Sequence, residues 1–223
     1  MQDTARIARL RAGKRTDIRR ENERVILQAA EKAFAEAGYG GATMQLIADR
    51  AGLPKANLHY YFATKEDLYR RVVEDIFQIW LRAADSFDNA PDPAIAIGAY
   101  IDAKMHISRH HPFGSKVWAS EVLHGAPVIQ DYLETTLRDW TASRIAAIQT
   151  WIDNGQMDPI DPRHLLYMLW ATTQHYADFR HQIETLNHSQ PLDDHQWQAA
   201  TDSIKAIILR GIGLPDAQSK DRP

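Results

Sequence analysis

The apolar residues of this 223-residue chain recur three and four apart along almost its whole length, and no segment alternates with the period of two that a half-buried strand needs. That pattern restricts the chain to an all-α fold. Residues 22–37 place Val25, Ile26, Ala29, Ala30, Ala33 and Phe34 on one face, and Gly38 follows as a stop. Thr43 stands where an N-cap belongs, before Met44, Leu46, Ile47 and Ala48, and Gly52 ends that helix after two turns. Pro54 suits the first turn of the next helix, where its missing N–H costs little. Thr64 with Asp67 resembles a capping box, with Asp in place of the usual Glu, and opens a long helix to about Phe87.

The second half is punctuated in the same way. DNAPDP at 88–93 reads as a loop, helices follow at 94–109 and 114–124, and GAP at 125–127 breaks the run. A long amphipathic helix is expected over 128–153, then helices over 162–186 and 195–210, separated by the loop 186–194. Residues beyond Pro215 are expected to fray. The total is about nine helices.

The length suits one large domain or two small ones. Cysteine is absent, which excludes disulfides, thiolate catalysis and Cys-ligated zinc and agrees with a cytoplasmic protein. No apolar run approaches the 18 residues of a membrane span, and the basic N-terminus lacks the apolar core of a secretory signal. Charge is uneven. The whole chain has 26 Lys and Arg against 29 Asp and Glu, but residues 1–70 hold 13 against 9, and residues 1–20 hold 7 against 2. A basic N-terminal part points to an anionic partner or to a solvated tail.

Three short helices within 60 residues, the second and third joined by Ala51-Gly52-Leu53, form a helix-turn-helix. In that motif the third helix enters the DNA major groove. Leu58 and Phe62, four apart, are able to face inward together, leaving Lys55, Ala56, Asn57, His59 and Tyr60 outside. Lys55 and Asn57 have the reach and the donors for base edges. Thr43, His59, Tyr60 and Lys65 suit phosphates. A small orthogonal helix pair that binds nothing would share this spacing.

The run TMQLIADRAGLPKANLHYYFATKEDLY (43–69) closely resembles the DNA-binding signature of TetR-type transcriptional regulators, through Thr43, Ile47-Ala48, Ala51-Gly52, Leu58, Tyr61-Phe62, Lys65 and Leu68-Tyr69. The family usually carries Ser or a similar small residue where Pro54 stands. The resemblance implies a flexible basic arm over 1–21, a helix-turn-helix DNA-binding domain over 22–69, a ligand-binding and dimerisation domain over 70–212, and a flexible tail over 213–223. It also implies a homodimer on a palindromic operator, without a cofactor.

The C-terminal part carries all six Trp of the chain, at 80, 118, 140, 151, 170 and 197, and most helical Trp are core. In WATTQHYADF (170–179) Trp170 and Gln174 share a face, and Gln174, His175 and Asp178 are polar in an otherwise apolar helix. Gln174 needs partners for both its donor and its acceptor, from backbone, water or a ligand with adjacent C=O and N–H groups. These residues, with FQIWL (77–81), 119–133 and 155–179, resemble the RutR subgroup of the family, the pyrimidine-utilisation regulators. On that resemblance Trp80, Trp170 and Gln174 match ligand positions, Phe77 and Glu121 are further candidates, and the effector is uracil or a related pyrimidine. A flat base suits Trp stacking, and its imide edge suits a primary amide.

His106 and His110 have the i, i+4 spacing of a zinc pair but no third ligand, so no metal is expected. No nucleophile motif or phosphate loop accompanies His175 and Asp178, so no enzyme activity is expected. The faces Leu165, Leu166, Leu169, Thr173 and Trp197, Ala200, Ile204, Ile207, Ile208 are the candidates for dimer contacts, or are both buried within one monomer. Two other functions compete: a broad apolar-ligand sensor of the multidrug-regulator kind, against which the chain's 5 Met and 6 Phe lean, and an orphan DNA-binding regulator without an effector.

Overall fold

A computed structural model describes residues 2–89 and 92–215, with side chains from Thr16 onward except that of Asn89. The described residues are helical throughout, without a strand. In chain order the helices are α1 (Gln2–Gly41), α2 (Met44–Ala51), α3 (Lys55–Tyr61), α4 (Lys65–Ala83), α5 (Ser86–Asn89), α6 (Pro93–His110), α7 (Pro112–Leu123), α8 (Gln130–Tyr132), a π turn (Leu133–Leu137), α9 (Arg138–Asp153), α10 (Pro162–Asp178), α11 (Arg180–Leu186) and α12 (Asp194–Gly211). None of the described helices is long and apolar enough to cross a membrane.

Contacts divide the chain into two compact units, Met1–Glu74 and Asp75–Pro223. In the first, Ile26, Ala30 and Ala33 of α1 meet Ile47 and Ala48 of α2 and Leu58 of α3, all with no exposed surface. Thr43 caps α2 by accepting from the Leu46 N–H at 3.1 Å. Thr64 and Asp67 form the reciprocal capping box, each side chain accepting from the other's backbone N–H at 3.0 Å. Gly38 breaks the helical path with φ 69° and ψ 171°. Pro54 lies one position earlier than expected, as the N-cap of α3, where its extended ψ of 139° turns the chain into the helix.

The second unit is built around α6 and α10. Ile97, Tyr100, Ile101 and Met105 of α6 pack with Leu165, Leu166 and Leu169 of α10, Ile148 of α9, and Ile204 and Ile208 of α12. Asp92, Asp161 and Asp193 cap α6, α10 and α12 through backbone N–H groups, the last with Gln196 as a full capping box. Gly114 lets α7 approach α4 closely, since a Cβ there would lie 3.2 Å from Ile76.

Several boundaries differ from expectation. The basic stretch expected as a flexible arm is helical from Gln2, in keeping with its Arg and Ala content. Helix α4 stops at Ala83, and the short α5 then turns Phe87 into the core beside Tyr100 (5.4 Å between centroids) and Trp151 (5.5 Å). The expected 128–153 helix contains the π turn, and the expected 162–186 helix is interrupted at Phe179, so twelve α elements replace about nine among the described residues. Ala90 and Pro91 of the expected loop lie outside the described residues. Of the expected tail, Leu214 is packed into the core at 7% exposure, and residues 216–223 lie outside the described residues.

Gly52 is the hinge of the helix-turn-helix. Its φ of 65° is left-handed, and its N–H satisfies the last carbonyls of α2. An added Cβ would meet nothing within 4 Å, so the cost of Gly52→Ala is conformational alone. The variant is expected to lose about 1–2 kcal/mol, measured as a lowered urea midpoint of the full chain with an unchanged m value.

Candidate DNA-binding face and effector cavity

On α3 one side is dry and the other open. Leu58 is fully buried and Phe62 is 8% exposed. Lys55, Ala56, Asn57, His59 and Tyr60 are exposed, the last at 71%. The five outward residues expected at DNA therefore form one continuous face on a helix held by two apolar anchors. The His59 Nδ1 lies 3.3 Å from the Ala63 carbonyl, which orients the ring at the end of α3. Tyr60 packs edge-on to Tyr61 at 5.2 Å, and the Arg19 guanidinium lies 5.8 Å from the Tyr60 ring. Arg19 thus joins the face, a residue that the charge count flagged only as part of the basic N-terminal run. Thr43 is exposed at the start of α2, its oxygen engaged as a cap and its O–H left to donate.

Lys65 stands at the start of α4, where its ammonium already has partners within the head. Its ammonium donates to the carbonyls of Tyr39 (2.8 Å) and Ala42 (3.2 Å) and lies 4.2 Å from the centre of the Tyr39 ring. It ties the end of α1 to the start of α4. Two of its three N–H groups are engaged, and one remains for an anion. Spacing alone had no means of showing these carbonyl partners, because they come from residues 26 and 23 positions earlier.

The second unit encloses a cavity of about 220 Å³. Phe77, Trp80 and Leu81 from α4, Tyr100 and Lys104 from α6, Trp118 and Val122 from α7, Leu133 and Leu137 at the ends of the π turn, Trp140 from α9, and Trp170 and Gln174 from α10 form its walls. Phe77, Trp80, Trp170 and Gln174 are thereby brought together as expected. Four of the six Trp residues line this space. The rings brace one another: Phe77 stacks on Trp118 at 5.1 Å with 9° between planes, and Trp80 meets Trp118 edge-on at 5.4 Å. The Trp170 indole N–H donates to the Tyr100 hydroxyl at 3.1 Å, which sets the plane of the Trp170 ring. Among the described residues no protein group hydrogen-bonds the Gln174 amide.

Glu121 does not reach the cavity. It is buried at 4% exposure, and its carboxylate accepts from the Val128 N–H at 2.7 Å, closing the turn after α7. A polar residue in an apolar helix was a sound signal of burial with a partner, but the partner is backbone.

The residue missed is Lys104. It is 1% exposed, and its ammonium lies 4.2 Å from the centre of the Trp80 ring. Burial pushes its pKa down to about 7, with Asp178 partly opposing. Asp178 accepts from the Ser115 hydroxyl at 2.6 Å, and burial raises its own pKa. Tyr100 titrates well above the ordinary phenol, chiefly because it is buried. A Lys within the apolar pattern of α6 was the signal available. The His106 and His110 rings lie 4.2 Å apart with 45° between planes, but among the described residues no group of three metal-ligating side chains assembles.

Residues 26–72 match the family described as bacterial regulatory proteins of the tetR family, and residues 73–215 match the YcdC-like protein C-terminal region. The chain belongs to the TetR family. It is a DNA-binding transcriptional regulator, not an enzyme. The HTH-type transcriptional regulator RutR of Escherichia coli K12 is 38% identical over 200 residues, covering 90% of this chain and 94% of the relative. Among solved structures, the transcriptional regulator SCO4942 of Streptomyces coelicolor superposes with a TM-score of 0.67 at 22% identity, covering 86% of this chain and 98% of that one. The ketosteroid regulator KstR2 of Mycobacterium tuberculosis gives 0.65 at 22% identity, with 85% and 94% covered. These two share the fold.

Lys65→Met is expected to lower the stability of this TetR-type head by about 1–2 kcal/mol and to weaken binding to every DNA sequence alike. Urea denaturation and fluorescence anisotropy on operator and scrambled duplexes read the two effects. An unaltered urea midpoint would return Lys65 to a purely DNA-facing role.

Proposed function

We propose that this regulator represses transcription as a homodimer on a palindromic operator and releases it on binding a small planar heterocycle, uracil or a related pyrimidine. The observation that carries the effector class is the meeting of the Trp80 and Trp170 rings with the Gln174 amide on the wall of one small cavity. The rings offer flat apolar faces to a base. The amide offers a donor and an acceptor to an edge that alternates C=O and N–H. Ligand pockets for drug-sized molecules span about 300–1,000 Å³, so a cavity of about 220 Å³ suits one ring and counts against a broad apolar sensor. The likeness to RutR supports the same subgroup.

On DNA, the exposed Lys55 and Asn57 read base edges, while Thr43, His59, Tyr60 and the free N–H of Lys65 hold phosphates. Two recognition helices about 34–36 Å apart would enter successive major grooves. Of the two faces that periodicity offered, most residues are buried and Ile207 stays outside. Leu165, Leu166, Leu169, Thr173, Ile204 and Ile208 are spent inside the monomer, whereas Ile207 is 71% exposed and Tyr167 and Met168 are about half exposed. These outward residues of α10 and α12 are the dimer contacts we favour.

Helix α4 begins at Lys65 and later supplies Phe77, Trp80 and Leu81 to the cavity wall. An effector that prefers one setting of α4 would change the separation of the two heads. Moving the population from mostly competent to mostly incompetent requires roughly a 10⁴-fold difference in affinity, about 5.5 kcal/mol.

Gln174→Ala is expected to abolish release from the operator by uracil while operator affinity without effector stays within twofold, read by electrophoretic mobility shift across a uracil series. An unchanged dose response would remove Gln174 as a recognition residue. Asn57→Ala is expected to cost about 1–3 kcal/mol of operator binding and to relax preference at one base position in each half-site, read by competition with single-base operator variants.

A further inference from the structure

The cavity holds a cation and no acid. Of its wall residues only Tyr100 and Lys104 titrate in water, and no carboxylate is among them. A Lys ammonium is among the costliest groups to bury, and an amine so placed normally has a partner. Among the described residues no carboxylate or carbonyl hydrogen-bonds the Lys104 nitrogen, which faces the Trp80 ring instead. Asp178, the acid that acts on it, is occupied by Ser115 and lies on the neighbouring surface groove of α7 and α10 rather than on the cavity wall.

Resting on the sensor reading above, we propose that the effector is an acidic heterocycle bound as its anion, with the ring N–H proton residing on the Lys104 amine and the resulting ion pair enclosed by the Trp faces. The proton balance is simple. A neutral amine and a neutral acidic imide give an ammonium and a ring anion, with nothing taken from solvent. A neutral amine and an already ionised ligand reach the same pair by taking up one proton. Pairing gives the buried ammonium a direct partner beyond the Asp178 carboxylate, which Ser115 holds, and the low dielectric of the walls strengthens the attraction. Gln174 then serves the remaining edge of the ring.

Burial sets the titration of Lys104 and Asp178 partly opposes it; the titratable and charged groups around the amine are few. They are Asp178 from α10, with His175 beside that carboxylate, and Tyr100 on its own helix, which Arg144 of α9 influences. Helix α4 and the π turn bring only Phe77, Trp80, Leu81, Leu133 and Leu137, and α7 brings Trp118 and Val122 together with the Ser115 that bonds Asp178. The free amine is half protonated at about pH 7. For a ligand that ionises below that pH, affinity is flat up to about pH 7 and then falls about tenfold per pH unit as each site must take up a proton.

The test is calorimetric titration of the full chain with barbituric acid, uracil and 1,3-dimethyluracil at several pH values between 6 and 9, in two buffers of different ionisation enthalpy. The expected result is that barbituric acid binds at least tenfold more tightly than uracil at pH 7, with dimethyluracil weakest. Proton uptake should approach one per site at pH 8. Lys104→Met, checked for fold by circular dichroism, should equalise barbituric acid and uracil and abolish the uptake. Should the variant fail to fold, the proton count of the wild-type protein decides. Binding of uracil at or above the affinity of barbituric acid, with no buffer-dependent heat, overturns the anion reading and leaves the pyrimidine sensor standing. No binding of any of the three by folded protein overturns both.

Discussion

The second unit depends on the seam between α6 and α10. Leu165, Leu166 and Leu169 bury one face of α10 against Ile97, Ile101 and Met105 of α6. Two hydrogen bonds fix the register along the same seam: the Ser108 hydroxyl donates to the Thr173 carbonyl at 2.8 Å, and the Trp170 indole donates to the Tyr100 hydroxyl at 3.1 Å. With that register set, Trp170 and Gln174 must turn away from the core, and Tyr100 and Lys104 must face them. The cavity lies beside the seam, walled by rings of the remaining helices that brace one another.

A sensor needs such a gap in an otherwise dense core. The buried amine and the half-buried amide without a protein partner among the described residues are each costly in a protein that only has to fold. Burying them together is consistent with a site completed by a ligand. The recognition helix obeys the opposite economy. Leu58 and Phe62 hold it to the head, and Lys55, Ala56, Asn57, His59 and Tyr60 are left in water for another molecule to meet.

Much of this was legible in one dimension. The caps at Thr43 and Thr64, the stops at Gly38 and Gly52, and the inward pair Leu58 and Phe62 are local, since each acts through neighbours within four residues. Trp170 and Gln174 were legible as a shared helical face for the same reason. Phe77 and Trp80 were reached through resemblance and joined the same cavity. For Glu121 and Lys65 the sequence signals a polar side chain with partners without saying which ones. Among those partners are backbone groups brought near by a turn or by the meeting of two helices.

The sequence by itself determined that this chain is helical, where most of its helices begin and end, and which side of α3 faces out. Periodicity and capping operate over one or two turns, so no fold is needed to read them. Tertiary structure alone decided which apolar faces were consumed inside the monomer and which were left over. It took Leu165, Leu166, Ile204 and Ile208 for the core and left Ile207 outside. It also decided that Lys104, unremarked in the run of α6, ends against Trp80 beside Gln174, residues 24 positions before it and 70 after it in the chain. Contacts across such separations depend on how several helices pack at once, and no local pattern of residues encodes that.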